Sequence, residues 1–90
     1  MFEFDPAKSA ANLAKHGIDF EAAKQLWNDE TSISIPAKEG EDGEARTMVI
    51  GQIEGKFWSA IVTFRGIIVR IISVRRSRND EKELYDEQNH

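Results

Sequence analysis

Two hydrophobic periods divide the chain near residue 31. Before that point apolar side chains recur mostly at helical spacing, and after it they gather in short β-rich runs. Phe2-Glu3-Phe4 alternates and predicts a short opening strand. Asp5-Pro6 then starts a helix, with the aspartate as N-cap and the proline at the first helical position, where a missing N–H costs nothing. The alanine-rich run Ala7 to Lys15 continues it and Gly17 stops it, so a first helix spans about residues 6–15. Asp19 caps a second, about residues 20–28, with Phe20, Ala23, Leu26 and Trp27 on one stripe. Helices this short are marginal alone and must share a supporting surface. From Ser32 the pattern changes to strands. Ser32 to Ile35 is a short β-rich run and Pro36 to Gly43 a polar, acidic loop. Arg46 to Ile53, Phe57 to Phe64 and Ile67 to Val74 are three strands separated by glycine-containing breaks, an antiparallel meander. A last helix, capped by Ser77 or Asn79, runs through Glu83 and Tyr85, with Asp80 and Glu81 in its first turn.

The resulting order, β-α-α-β-β-β-β-α, predicts an α+β fold: an antiparallel sheet with two N-terminal helices and one C-terminal helix, helices on one face and the other face partly open. Ninety residues suffice for a single domain, 1–90. At 40% hydrophobic and 31% charged the chain is too apolar for disorder and too polar for a membrane protein. With no bilayer-length apolar run and no signal-peptide pattern at Met1 to Asp5, the expected location is cytoplasmic. Having no cysteine, the chain has no disulfide, thiolate nucleophile or Cys-based zinc site; with two histidines, one of them His90, it has no multi-histidine metal centre. No cofactor is expected.

The net charge of −4 argues weakly against a nucleic-acid partner until it is resolved by segment. Residues 1–60 carry 6 basic and 11 acidic groups, 6 − 11 = −5. Residues 61–78 carry five arginines and no acid, +5, and residues 79–90 one lysine and five acids, −4. The positive block is all arginine, whose planar fork grips phosphate with two parallel hydrogen bonds. It is also a block that must build sheet, so solvation of one face and phosphate binding are both open readings.

Several stretches together resemble the BrnT family of bacterial type II toxins. They are Phe4-Asp5-Pro6-Ala7-Lys8 with Asn12, Lys15-His16-Gly17-Ile18, Phe20-Glu21-Ala22-Ala23, Glu44-Ala45-Arg46, Gly51, Ile61-Val62-Thr63-Phe64-Arg65-Gly66, and Val69 to Arg76 followed by Glu83 and Tyr85. The resemblance covers nearly the whole chain. It implies a RelE-like fold, metal-independent endoribonuclease activity and inhibition of growth. It further implies a hetero-oligomer with a BrnA-like ribbon-helix-helix antitoxin, through which alone the toxin would reach operator DNA, and no membrane partner. The other function class open to the same residues is a non-catalytic nucleic-acid or protein-binding module, such as an inactive relative acting only in operon autoregulation.

Metal-free RNA cleavage needs a base for the 2′-hydroxyl, cations around the phosphorane-like transition state and a proton for the departing 5′-oxygen, so positioning and electrostatics can supply most of the acceleration. The catalytic candidates are His16, Arg65, Arg70 and Arg75, and the substrate-binding candidates are Lys15, Arg46, Arg76 and Tyr85. His16 is the internal histidine, suited to proton transfer at neutral pH or to capping its helix. Glu44 is a possible base, and Tyr85 donates a proton, stacks on a base or packs the last helix onto the sheet. Strict alternation along Ile67 to Arg76 puts Arg70, Ile72, Val74 and Arg76 on one face and Val69, Ile71, Ser73 and Arg75 on the other. A bulge or strand end near Ser73 would instead unite Arg70 and Arg75. Trp58 and Phe57 point to opposite faces, so one of them lies outside the main core or under a partner.

Overall fold

Asp5 caps the first helix as its position implies, accepting from Ala7 N at 2.8 Å and Lys8 N at 3.4 Å. The computed structural model describes residues 1–89, and His90 lies outside them. The elements are β1 (Phe2–Glu3), α1 (Pro6–His16), α2 (Phe20–Ala23), a 3-10 segment (Lys24–Asn28), β2 (Ile33–Ala37), β3 (Arg46–Ile53), β4 (Lys56–Arg65), β5 (Ile68–Arg76) and α3 (Asn79–Gln88). The second helix therefore stays α-helical for only one turn before it tightens, as short helices do when tertiary packing outweighs a few i→i+4 bonds. The start of α3 also differs from expectation. Its N-cap is Arg78, whose backbone N–H is accepted by the Glu81 carboxylate at 2.9 Å.

The strands form one five-stranded sheet in the order β1-β5-β4-β3-β2. Strands β2 to β5 are antiparallel neighbours, as expected. Strand β1 joins β5 in parallel, so the sheet is mixed. The α1–α2 layer supplies the crossover that brings the chain from β1 to the far edge. Its core consists of Phe20, Ala23 and Leu26 packed on Val49, Ala60, Val62, Ile71 and Val74 of the sheet. Full burial of side chains such as Phe20, Leu26, Val62 and Ile71 contributes roughly 1.5–3 kcal/mol apiece.

Polar groups fix the docking of this layer. Ser9 Oγ accepts from Phe20 N at 2.9 Å, tying α1 to α2. Beyond the end of the short β1, the buried Asn12 amide takes the place of a neighbouring strand. It donates to Val74 O at 2.9 Å and to Ile18 O at 2.8 Å, and it accepts from Val74 N at 3.2 Å. A buried backbone edge left without such a partner is costly, so Asn12 completes β5 where β1 runs out.

The third helix occupies the opposite face, contrary to the expectation of helices on one side. Its buried side chains are Glu81 and Tyr85, and the latter meets the Phe57 ring edge-on at 5.1 Å. Trp58 lies in the α1–α2 core, and α3 of the same chain covers Phe57. Helix α3 takes up only one end of this face, leaving the end near the β4–β5 turn open.

Candidate nucleic-acid interface

The open end is set by a single extra residue in β5. Val62 pairs with Ile71 and Ile61 with Ser73, so Ile72 is unmatched, and this bulge inverts the alternation downstream. Val69, Ile71, Val74 and Arg76 consequently face α1 and α2, whereas Arg70, Ser73 and Arg75 share the other face. The bulge near Ser73 does unite Arg70 with Arg75, and it separates both from Arg76.

Register places the remaining groups. Ala37 opposes Arg46, Thr63 opposes Arg70, and Arg70 opposes Glu3. Continuing the β3–β4 register one step past Thr47↔Val62 sets Arg46 beside Thr63 and, two residues further, Glu44 beside Arg65. One row thus crosses the sheet as Ala37, Arg46, Thr63, Arg70 and Glu3, with Glu44 and Arg65 alongside. The two-residue turn Gly66-Ile67 lets Arg65 project at the rim. Gly66 has φ 62°, the conformation required at the first position of a type II′ turn and disfavoured for a side chain there.

Contacts within this patch are of two kinds. Buried Thr63 donates from Oγ1 to Glu44 Oε1 at 2.6 Å, which anchors the carboxylate. The ion pairs are looser: Arg65 to Glu44 at 3.5 Å, Arg65 to Glu3 at 3.6 Å and Arg70 to Glu3 at 3.6 Å. Arg46 lies against the acidic loop, where a Cβ at Gly40 would fall 2.5 Å from the guanidinium carbon. Glycine at position 40 is what allows that approach. Among the described residues Arg46 Nε finds no hydrogen-bond partner. A hollow of about 620 Å³ beside it is lined by Lys38, Glu39, Gly40, Glu41, Asp42 and Arg46, too acidic overall to favour phosphate.

At the α3 end the arginine is clamped. Arg75 Nη1 and Nη2 donate to Glu81 Oε1 and Oε2 at 2.8 and 2.7 Å, and Ser59 Oγ adds a third donor at 2.8 Å. The Arg75 guanidinium, aided by Arg78 N and Ser59 and opposed by burial, holds the Glu81 carboxyl at about 2; Arg75 is raised in return. Tyr85 is similarly committed. Its hydroxyl donates to Asp29 Oδ2 at 2.9 Å and contacts Thr31 Oγ1. Burial alone would raise the Asp29 pKa, but donors from Thr31, Gln52 and Tyr85 together hold it below the usual carboxylate range.

Of the sequence-derived candidates, the structure brings Arg46, Arg65 and Arg70 together. Arg75 shares their face but is spent on Glu81. Tyr85 is buried beneath α3. Arg76 turns to the helical side, over the Trp58 ring at 5.4 Å, with Nε donating to Phe57 O at 3.2 Å. Lys15 and His16 end α1, on the layer across the sheet. Sequence reasoning overlooked Glu3 and Glu81; their partners are set by a parallel strand pairing and by the placement of α3, neither of which leaves a periodic signal.

Comparison with known proteins adds identity to this geometry. Residues 4–81 of the 90 match the family described as "Ribonuclease toxin, BrnT, of type II toxin-antitoxin system". No curated protein matches the chain. No helix among the described residues is long and apolar enough to cross a membrane.

Proposed function

Because the chain belongs to the BrnT family of ribonuclease toxins of type II toxin–antitoxin systems, we propose that it cleaves RNA endonucleolytically, without a metal ion, at the open end of the sheet. Arg65 and Arg70, brought onto one face around Thr63 and Glu44, carry this reading. Arg65 and Arg70 bind the scissile phosphate and offset the charge that builds on it. Glu44, oriented by Thr63, accepts the 2′-hydroxyl proton. The 2′-oxygen attacks phosphorus, the bond to the 5′-oxygen breaks, and water protonates the departing oxygen. The products are a 2′,3′-cyclic phosphate and a 5′-hydroxyl.

Neutralisation then follows if a BrnA-like ribbon-helix-helix antitoxin lays acidic side chains on the same arginines, with the toxin acting in the cytoplasm. Incubation of the purified protein with single-stranded RNA in EDTA tests the chemistry. Cyclic-phosphate ends are expected, and they should vanish in Arg65→Ala/Arg70→Ala. Intact RNA beside a folded wild-type protein would leave a binding module without catalysis. Glu44→Gln should lower kcat.

A further inference from the structure

The Glu3 carboxylate lies between two guanidinium groups. Oε1 is 3.6 Å from Arg65 Nη1, and Oε2 is 3.6 Å from Arg70 Nη1. The two non-bridging oxygens of a phosphodiester would meet the same pair in the same way, one oxygen to each cation. Both separations exceed hydrogen-bond contact, and Arg65 and Glu3 are 49% and 37% exposed. Water therefore screens the arrangement, and little stability depends on it. Strand β1 is held by other means: Val69 N donates to Met1 O at 2.8 Å, and Phe2 packs edge-on against Trp27 at 4.9 Å. The Glu3 side chain can swing away without loosening its strand. Glu44, on the other flank of Arg65, is by contrast fastened to Thr63.

We infer that Glu3 is an intramolecular placeholder for the substrate phosphate: its carboxylate occupies the anion position between Arg65 and Arg70, and an entering RNA phosphodiester expels it. The inference rests on the reading of this face as the RNA site. Of the two carboxylates touching Arg65, one thus competes with substrate and the other acts on it. The competing charge keeps the arginine pair compensated while the site is vacant and weakens RNA binding by the cost of its displacement.

The test is binding of an uncleavable 2′-O-methyl RNA oligonucleotide to the full-length wild type, Glu3→Gln, Glu3→Ala, Arg65→Gln and Arg70→Gln. Fluorescence anisotropy reads the affinity, and thermal unfolding verifies each fold. Glu3→Gln and Glu3→Ala should tighten Kd roughly threefold or more, as expected for removal of a unit charge several ångströms from a phosphate in a water-like dielectric. The plot of log Kd against log salt should steepen by up to about one, because a formerly compensated arginine now releases a small ion. In cleavage assays KM should fall. A residue that merely positions the arginines would give the opposite sign, so weakened or unaltered binding in both Glu3 variants overturns the inference. Undiminished binding in Arg65→Gln and Arg70→Gln overturns the underlying RNA-face reading instead.

Discussion

Arg70 and Arg75 stand on one strand and one sheet face, yet they are held in different ways. Arg75 meets a buried carboxylate through two short hydrogen bonds and sits under α3. Arg70 meets a half-exposed carboxylate at 3.6 Å and has no helix above it. The two arginines are about equally exposed, 29% and 26%, so what distinguishes them is the carboxylate each meets: Glu3 is 37% exposed and Glu81 8%. Where α3 buries the carboxylate against its arginine, the pair becomes part of the architecture; where the carboxylate stays solvated at 3.6 Å, the arginine is available to a ligand.

The largest effect should come from breaking the covered pair. Arg75→Ala leaves Glu81 buried without its counter-ion, and a loss on the order of 3–5 kcal/mol is expected in urea unfolding. Arg65→Ala/Arg70→Ala should change stability by no more than about 1 kcal/mol, because solvated ion pairs contribute little. The same double variant should cut kcat/KM at least about 100-fold, equivalent to about 2.7 kcal/mol. If Arg75→Ala kept its stability and lost cleavage instead, the assignment of the two ends would be reversed.

Acid sharpens the comparison next. Folding lowers the Glu81 carboxyl from its usual 4.5 to about 2, chiefly through Arg75. A carboxyl depressed in the folded state contributes stability that is complete above the unfolded value and is lost as pH falls through the folded one. The window is therefore pH 4.5 down to about 2, and the contribution is on the order of 3 kcal/mol. Asp29, also lowered, acts in the same direction. Unfolding free energies across this range should slope steeply in the wild type and more shallowly in Glu81→Gln. An equal slope in both would show that the clamp is not the acid-sensitive element.

The elements of this fold are legible in the sequence because each is written locally. Strand β3 follows from the β-rich run between Arg46 and Ile53 and from the Glu54-Gly55 turn after it, and α1 follows from Asp5-Pro6 and Gly17. Three features are not local. The bulge at Ile72 leaves a run of apolar residues whose phase no periodicity resolves. The β1–β5 pairing joins segments more than sixty residues apart. The placement of α3 rests on Glu81 and Tyr85, with no apolar stripe to announce which face it seeks. These three decide the site. The bulge selects which arginines share a face, β1 brings Glu3 to two of them, and α3 pairs Arg75 with the buried Glu81 and withdraws Tyr85 from solvent. The arginine-rich block was thus visible from composition, whereas its division into clamped and open members depends on long-range contacts.

Tyr85 gives the smallest and most discriminating effect. Its hydroxyl shares Asp29 with Thr31 and the Gln52 N–H, while its ring packs on Phe57, so it joins α3 to the sheet by one polar and one apolar contact. Tyr85→Phe keeps the ring and removes the hydroxyl. Asp29 retains its other donors, so the expected loss is that of a single hydrogen bond, about 1 kcal/mol in urea unfolding. RNA cleavage should stay within about twofold, because the hydroxyl lies beneath α3, away from the arginine patch. A drop in kcat with stability preserved would mean that α3 leaves the sheet during turnover and that Tyr85 then reaches RNA. In that case the buried clamp that separates Arg75 from Arg70 would belong only to the resting toxin.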